Sequence, residues 1–250
     1  MPDYVKMLVC AVCTDDLDDK RIYKTAYEMM SDERKAKIDR LVIFEDKKRS
    51  VAAGLALYYA TECYLNKEDS ITFIKKNASD IVGKCVTEGI DKWNEQHQII
   101  LLDNGKPDFS NINGKANEKS YEKVNEKSDG ESIHFSIAHA GNYAICVVAD
   151  DVVGIDIEGN RRNISSKVSH YFSEWENDWI GEDEDRFYRL WTVKEAYCKM
   201  TGEGIAKTIG TVHFILDGNE WKMDCGGCKD IKIYELKIDD YRISIVKKLQ

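Results

Sequence analysis

From residue 4 to 12 the chain is almost unbroken Val, Leu, Met and Cys, a pattern that predicts a buried strand. Ser31 then precedes Asp32 and Glu33, an N-cap followed by first-turn acids, and Ile38, Leu41 and Val42 recur at helical spacing. A second helix is predicted over 48–65, where Val51, Leu55, Tyr58 and Tyr59 form one stripe. Together these make a helical lobe around one or more strands. The segment 110–132 is Asn, Lys, Glu, Ser and Gly with hardly an apolar residue, too few to offset its ordering entropy, and predicts a mobile loop or linker. Beyond it, 133–137, 143–149 and 152–157 read as the strands of an antiparallel meander, with Asp150-Asp151 as a tight connection.

Ser173-Glu174-Trp175-Glu176 fits a capping box that opens a short helix, and 186–200 predicts a longer helix ended by Gly202. Strands are expected again at 211–215, 221–223, 232–236 and 242–246. Strands and helices in mixed order, without regular βαβ alternation, indicate an α+β fold. A linker within 110–132 would part the chain into 1–132 and 133–250, and the length suits either one large domain or two small lobes.

Composition narrows the function. A chain of 250 residues can bury a hydrophobic core without staples. A net charge of −9 leaves no domain-wide basic excess to release phosphate counterions, so nucleic acid is not an expected partner and any anion site must be local. The start lacks a signal-peptide pattern, and no apolar run approaches the ~20 residues of a membrane span. With eight scattered cysteines, expected to be reduced, these features predict a cytoplasmic, membrane-free monomer.

Three constellations carry chemistry. In Gly154-Ile155-Asp156-Ile157-Glu158, period two puts both carboxylates on one strand face, roughly 7 Å apart. A hard divalent cation such as Mg²⁺ would relieve their repulsion; a solvated strand face also fits. On the predicted helix, Phe187, Leu190, Trp191 and Cys198 trace one stripe that includes Glu195, with Lys199 four residues on. A carboxylate there needs a partner, although an ordinary surface Glu-Lys pair also fits. Phe135-Ser136-Ile137-Ala138-His139-Ala140-Gly141 ends a strand in a histidine, able to meet a phosphate or simply to satisfy a turn. Asn104-Gly105-Lys106-Pro107 is a turn signal, and the first helices are rich in cations.

In order and spacing, Gly105-Lys106-Pro107, Ala138-His139-Ala140-Gly141, Gly154 to Glu158 and Trp191 through Gly204 together resemble the phosphopantetheinyl transferase superfamily, in its larger two-lobed class typified by the surfactin synthetase activator. The last two motifs are the most specific. The resemblance implies a pseudo-dimer of two similar α+β lobes with coenzyme A in the cleft between them. It further implies that Asp156, Glu158 and Glu195 are Mg²⁺ ligands, and that Lys199 neutralises the diphosphate and assists the leaving group. His139, Arg34, Lys37 and Arg49 would contact the 3′-phosphate, while Lys106 and Pro107 border the adenine. The implied reaction moves the phosphopantetheine arm of coenzyme A to a serine of an acyl or peptidyl carrier protein. Glu195 is the candidate base, directly or through a metal-bound water, and the carrier would dock at about 204–214.

Two departures stand out: alanines at 138 and 140, where the family usually has serines, and the long polar segment 110–132. A non-catalytic relative that binds the carrier protein or coenzyme A is an alternative. So is a zinc site built from Cys10/Cys13 and Cys225/Cys228, although Cys10 and Cys13 would point to opposite faces of a strand.

Overall fold

The computed structural model describes residues 6–66, 71–88, 93–94, 97–104, 106–109, 111–112, 115–116, 133–159, 169–224 and 230–249. The chain divides into two compact units, Met1–Asp150 and Asp151–Gln250.

In the first unit, strand β1 (Met7–Cys13) is followed by helices α1 (Lys20–Glu28), α2 (Asp32–Asp39) and α3 (Phe44–Leu65), then by β2 (Ile71–Asn77) and α4 (Ala78–Glu88). Short strands β3 (Ile99–Leu101) and β4 (Pro107–Phe109) form a hairpin ladder, as do β5 (Asn111–Ile112) and β6 (Lys115–Ala116). Long strands β7 (His134–Ala140) and β8 (Tyr143–Ala149) complete a four-stranded sheet in the order β2-β1-β8-β7. β1 runs parallel to β2 and antiparallel to β8. Both central strands are buried at every position, so their apolar runs show no alternation. Val51, Leu55 and Tyr58 of α3 join Leu8, Cys10, Val12, Cys146 and Val148 in one core.

Ser31 caps α2 as expected, its side chain accepting from Arg34 N. The helix ends at Asp39, however, so Leu41 and Val42 fall in the connection to α3, and Val42 is 95% exposed. Only Ile38 of α2 is buried, and no apolar stripe remains to extend the helix. α3 starts earlier than expected, at Phe44.

The second unit contains β9 (Val153–Gly159), α5 (Glu174–Ile180), α6 (Glu184–Thr201), α7 (Ile205–Thr208) and strands β10 (Phe214–Asp217), β11 (Glu220–Met223), β12 (Ile231–Ile238) and β13 (Tyr241–Lys248). β10 and β11 form a hairpin, and β12-β13-β9 form an antiparallel sheet on which α6 packs. The Ser173–Glu176 capping box is present at α5. The strand expected at 211–215 begins only at Phe214, because Thr211 and Val212 donate backbone hydrogen bonds to Thr208 O and close the turn after α7.

Two expectations change. The meander ends after β8, because β9 pairs with β13 rather than with β8. The division between units falls after residue 150, not after 132: β7 and β8 complete the sheet begun by β1, a pairing between residues far apart in sequence. Of 110–132, only 111–112 and 115–116 lie within the described residues, so the expected mobility of that segment lies outside them. No described helix is long and apolar enough to cross a membrane.

Candidate functional site

In the second unit the site is built where α6 crosses β9. A Cβ on Gly154 would lie 2.0 Å from Ala196 O and 2.4 Å from Met200 N. Only the absence of a side chain lets the helix backbone press onto the strand. Period two carries Asp156 and Glu158 on the same strand face as Gly154, so the close crossing aims them at the helix. Lys199 Nζ donates to Asp156 Oδ1 at 2.6 Å, and Asp156 Oδ2 is buried without a hydrogen-bond partner. Beside this crossing, Thr192 and Ser244 share a buried hydrogen bond of 2.7 Å between α6 and β13.

The electrostatics follow from burial. Burial pushes the Glu195 carboxyl up to about 7; Asp156 and Glu158 add to the rise and Lys199 opposes it. The Asp156 carboxyl is also pushed up by burial, against the pull of Lys199. Burial works against charge on Lys199, yet Asp156, Glu195 and Glu158 together hold its amine above the ordinary value. Asp156, Glu158, Glu195 and Lys199 therefore form one electrostatic cluster, and the hydrogen-bond partner of Lys199 is Asp156 rather than the helix neighbour Glu195.

Among the described residues no group of three His, Cys, Asp or Glu side chains is gathered as a metal centre. The donor chemistry nevertheless suits a hard cation, with all-oxygen carboxylates and one buried oxygen of Asp156 lacking a partner.

In the first unit, a second set of expected residues surrounds the α2–α3 contact. Arg34 lies across α3, where a Cβ on Gly54 would sit 2.9 Å from its Cδ, and donates to Ser50 O at 3.2 Å. Burial lowers the Arg34 pKa. Burial, then the neighbouring Arg34, lowers that of Lys37. Neighbouring cations favour an anion beside them. Arg49 pairs with Asp46 and donates to Gly141 O at 3.0 Å, which ties α3 to the turn following the exposed His139.

Lys106 is buried at the start of β4, and burial lowers its amine to about 8 against the pull of Asp108. Asp108 accepts from Phe109 N at 2.9 Å and lies 2.8 Å from His134 Nδ1. Pro107 is exposed beside it. The structure thus brings Arg49 to the turn after His139, with Arg34 bonded to the next α3 carbonyl and Lys37 in the electrostatic reach of Arg34. Asp156, Glu158, Glu195 and Lys199 gather separately in the other unit.

Cys10 points into the core with its thiol pushed far up by burial, and the Cys13 thiol is also raised by burial. Both are packing residues, and the Cys225/Cys228 half of the zinc alternative lies outside the described residues.

Sequence reasoning missed Lys194 and His213. Lys194 is 1% exposed and bonds to Glu176 Oε2 at 2.9 Å, and His213 Nδ1 lies 3.0 Å from the same oxygen. The signal was available, since Lys194 stands four residues after Leu190 and seven after Phe187, on the stripe that enters the core.

Residues 152–246 match the family model described as the 4'-phosphopantetheinyl transferase superfamily. The chain is 35% identical over 78 residues to the 4'-phosphopantetheinyl transferase Sfp of Bacillus subtilis, a stretch covering 29% of this chain and 35% of that protein. It is 34% identical over 94 residues to the transferase gsp of Aneurinibacillus migulanus, covering 35% and 38% respectively. It is 38% identical over 81 residues to the transferase HetI of a Nostoc species, covering 29% and 34%. In each case the match spans little more than a third of the relative's length. Gly154, Asp156, Glu158, Glu195 and Lys199 all fall within the matched 152–246 segment, and it is through that segment that the chain is similar to the 4'-phosphopantetheinyl transferase superfamily.

Proposed function

We propose that this protein transfers the 4'-phosphopantetheine arm of coenzyme A to a serine of an acyl or peptidyl carrier protein and releases 3',5'-ADP. The observation that supports this best is the α6–β9 crossing, where Asp156, Glu158, Glu195 and Lys199 share one electrostatic cluster inside the segment that matches the superfamily. The serine oxygen bonds to the β-phosphorus, the bond from that phosphorus to the bridging oxygen breaks, and 3',5'-ADP leaves with the electron pair. Glu195, in its ionised form, takes the serine proton. Lys199 swings from Asp156 toward the diphosphate and offsets the charge that grows on the leaving oxygen. Asp156, Glu158 and Glu195 would hold Mg²⁺, which supplies Lewis-acid stabilisation of the phosphoryl oxygens.

Arg34, Lys37, Arg49 and His139 bind the 3'-phosphate, and Lys106 with Pro107 borders the adenine. The carrier protein docks on about 204–214, where Ile205 is 42% exposed.

Incubation with coenzyme A, Mg²⁺ and a panel of apo carrier proteins, followed by intact mass, tests the reading. Appearance of the phosphopantetheine mass only when enzyme, coenzyme A and Mg²⁺ are all present is expected. Asp156→Ala and Glu195→Ala are expected to nearly abolish the gain while the fold survives. No gain on any carrier sinks the transferase, and tight coenzyme A binding without transfer would favour a non-catalytic binding relative.

A further inference from the structure

We propose that the buried Glu176–Lys194 pair is a positioning element that fixes the 209–214 segment against α6 and so shapes the face offered to the carrier protein. This rests on the transferase reading above. Lys194 precedes Glu195 on α6, so its side chain leaves the helix about 100° away from that of Glu195. All three ammonium protons are used inside the unit: Lys194 Nζ lies 2.9 Å from Glu176 Oε2, 2.9 Å from Ile209 O and 2.8 Å from Val212 O.

Glu176 is fully buried and also accepts from Ser173 N at 2.8 Å and from Phe214 N at 3.2 Å, with His213 Nδ1 at 3.0 Å. Residues 209, 212, 213 and 214 are therefore fastened to one ion pair, while Ile205, Lys207, Gly210 and Thr211 face solvent. An apolar pair of similar volume would fill the same space but could not hold the two carbonyls. A lysine committed in this way has no proton left for a phosphate, which separates its role from that of Lys199.

Removing one partner would strand a buried charge, so the test uses the double variant Glu176→Gln/Lys194→Met, with Glu176→Gln/Lys194→Gln in its place if the first does not fold. Amide exchange at 205–214 is expected to quicken by about tenfold or more while β12–β13 exchange stays put. KM for the carrier is expected to rise about tenfold, with KM for coenzyme A changed less than about twofold. Unchanged exchange at 205–214 overturns the proposal, as does an equal rise in both KM values. If the wild-type protein modifies no carrier, the transferase reading fails, and the exchange measurement still decides whether the pair holds the segment.

Discussion

Lys199 on α6 donates to Asp156 on β9 at 2.6 Å, across the point where the helix lies closest to the strand. The partner matters because the Asp156 side chain is 7% exposed and that of Lys199 33%. Deleting the cation leaves a carboxylate buried without its counter-charge.

Lys199→Met is therefore expected to cost about 2–4 kcal/mol without divalent cations, somewhat less than a fully buried pair because Lys199 is partly solvated. Asp156→Asn in the same background is expected to recover part of the loss. Urea unfolding of the four proteins of this cycle measures the coupling, and additive losses remove the pair from the stability argument. Turnover of Lys199→Met is expected to fall by about two orders of magnitude.

Gly154→Ala places a methyl against Ala196 O and Met200 N. Helix and strand must separate, which is expected to cost about 3 kcal/mol and to spread the carboxylates relative to Glu195. Thermal unfolding and turnover should fall together, and a variant with wild-type melting would show that the crossing tolerates a side chain.

Lys106 supplies a pH prediction. Burial lowers its folded-state pKa to about 8 from the ordinary lysine value of 10.5. Between those values the unfolded chain binds a proton that the folded chain does not, so this group's contribution to stability rises with pH across about 8 to 10.5. Below pH 8 the buried charge works against the fold by up to roughly 3 kcal/mol. The stability of wild type relative to Lys106→Met should accordingly increase through that window. A difference that stays flat with pH would mean Lys106 keeps an ordinary amine.

Arg34 lowers the pKa of Lys37, and among the described residues no hydrogen bond joins the two through a carboxylate. An anion that bridges them should bind well, and Arg34→Gln is expected to weaken coenzyme A about tenfold or more. Dephospho-coenzyme A, which lacks the 3'-phosphate, should lose little. Calorimetric titration with both ligands reads the difference, and equal losses would place Arg34 elsewhere on the substrate.

Much of the local structure was legible in the chain. Ser31 and Ser173 declared their helices because a capping hydroxyl and the backbone N–H it accepts from lie within three residues of each other. Gly154, Asp156 and Glu158 shared a face by strand period alone, and the order of the motifs pointed to the superfamily. Longer-range matters were not legible. Strand pairing depends on contacts between distant segments, so β8 joining β1 rather than β9 could not be read from hydrophobic runs that look alike. The partner of Lys199 also depended on it: helical spacing offers Glu195, and only the depth to which α6 sinks onto Gly154 brings Asp156 within reach. Lys194 shows the same limit, because a lysine on a core stripe becomes an anchor only when Glu176 and two backbone carbonyls are folded around its ammonium group. The sequence set the residues and their local periodicity, and tertiary packing chose the partners, because the energy of a buried charge is decided by what lies within a few ångströms in space.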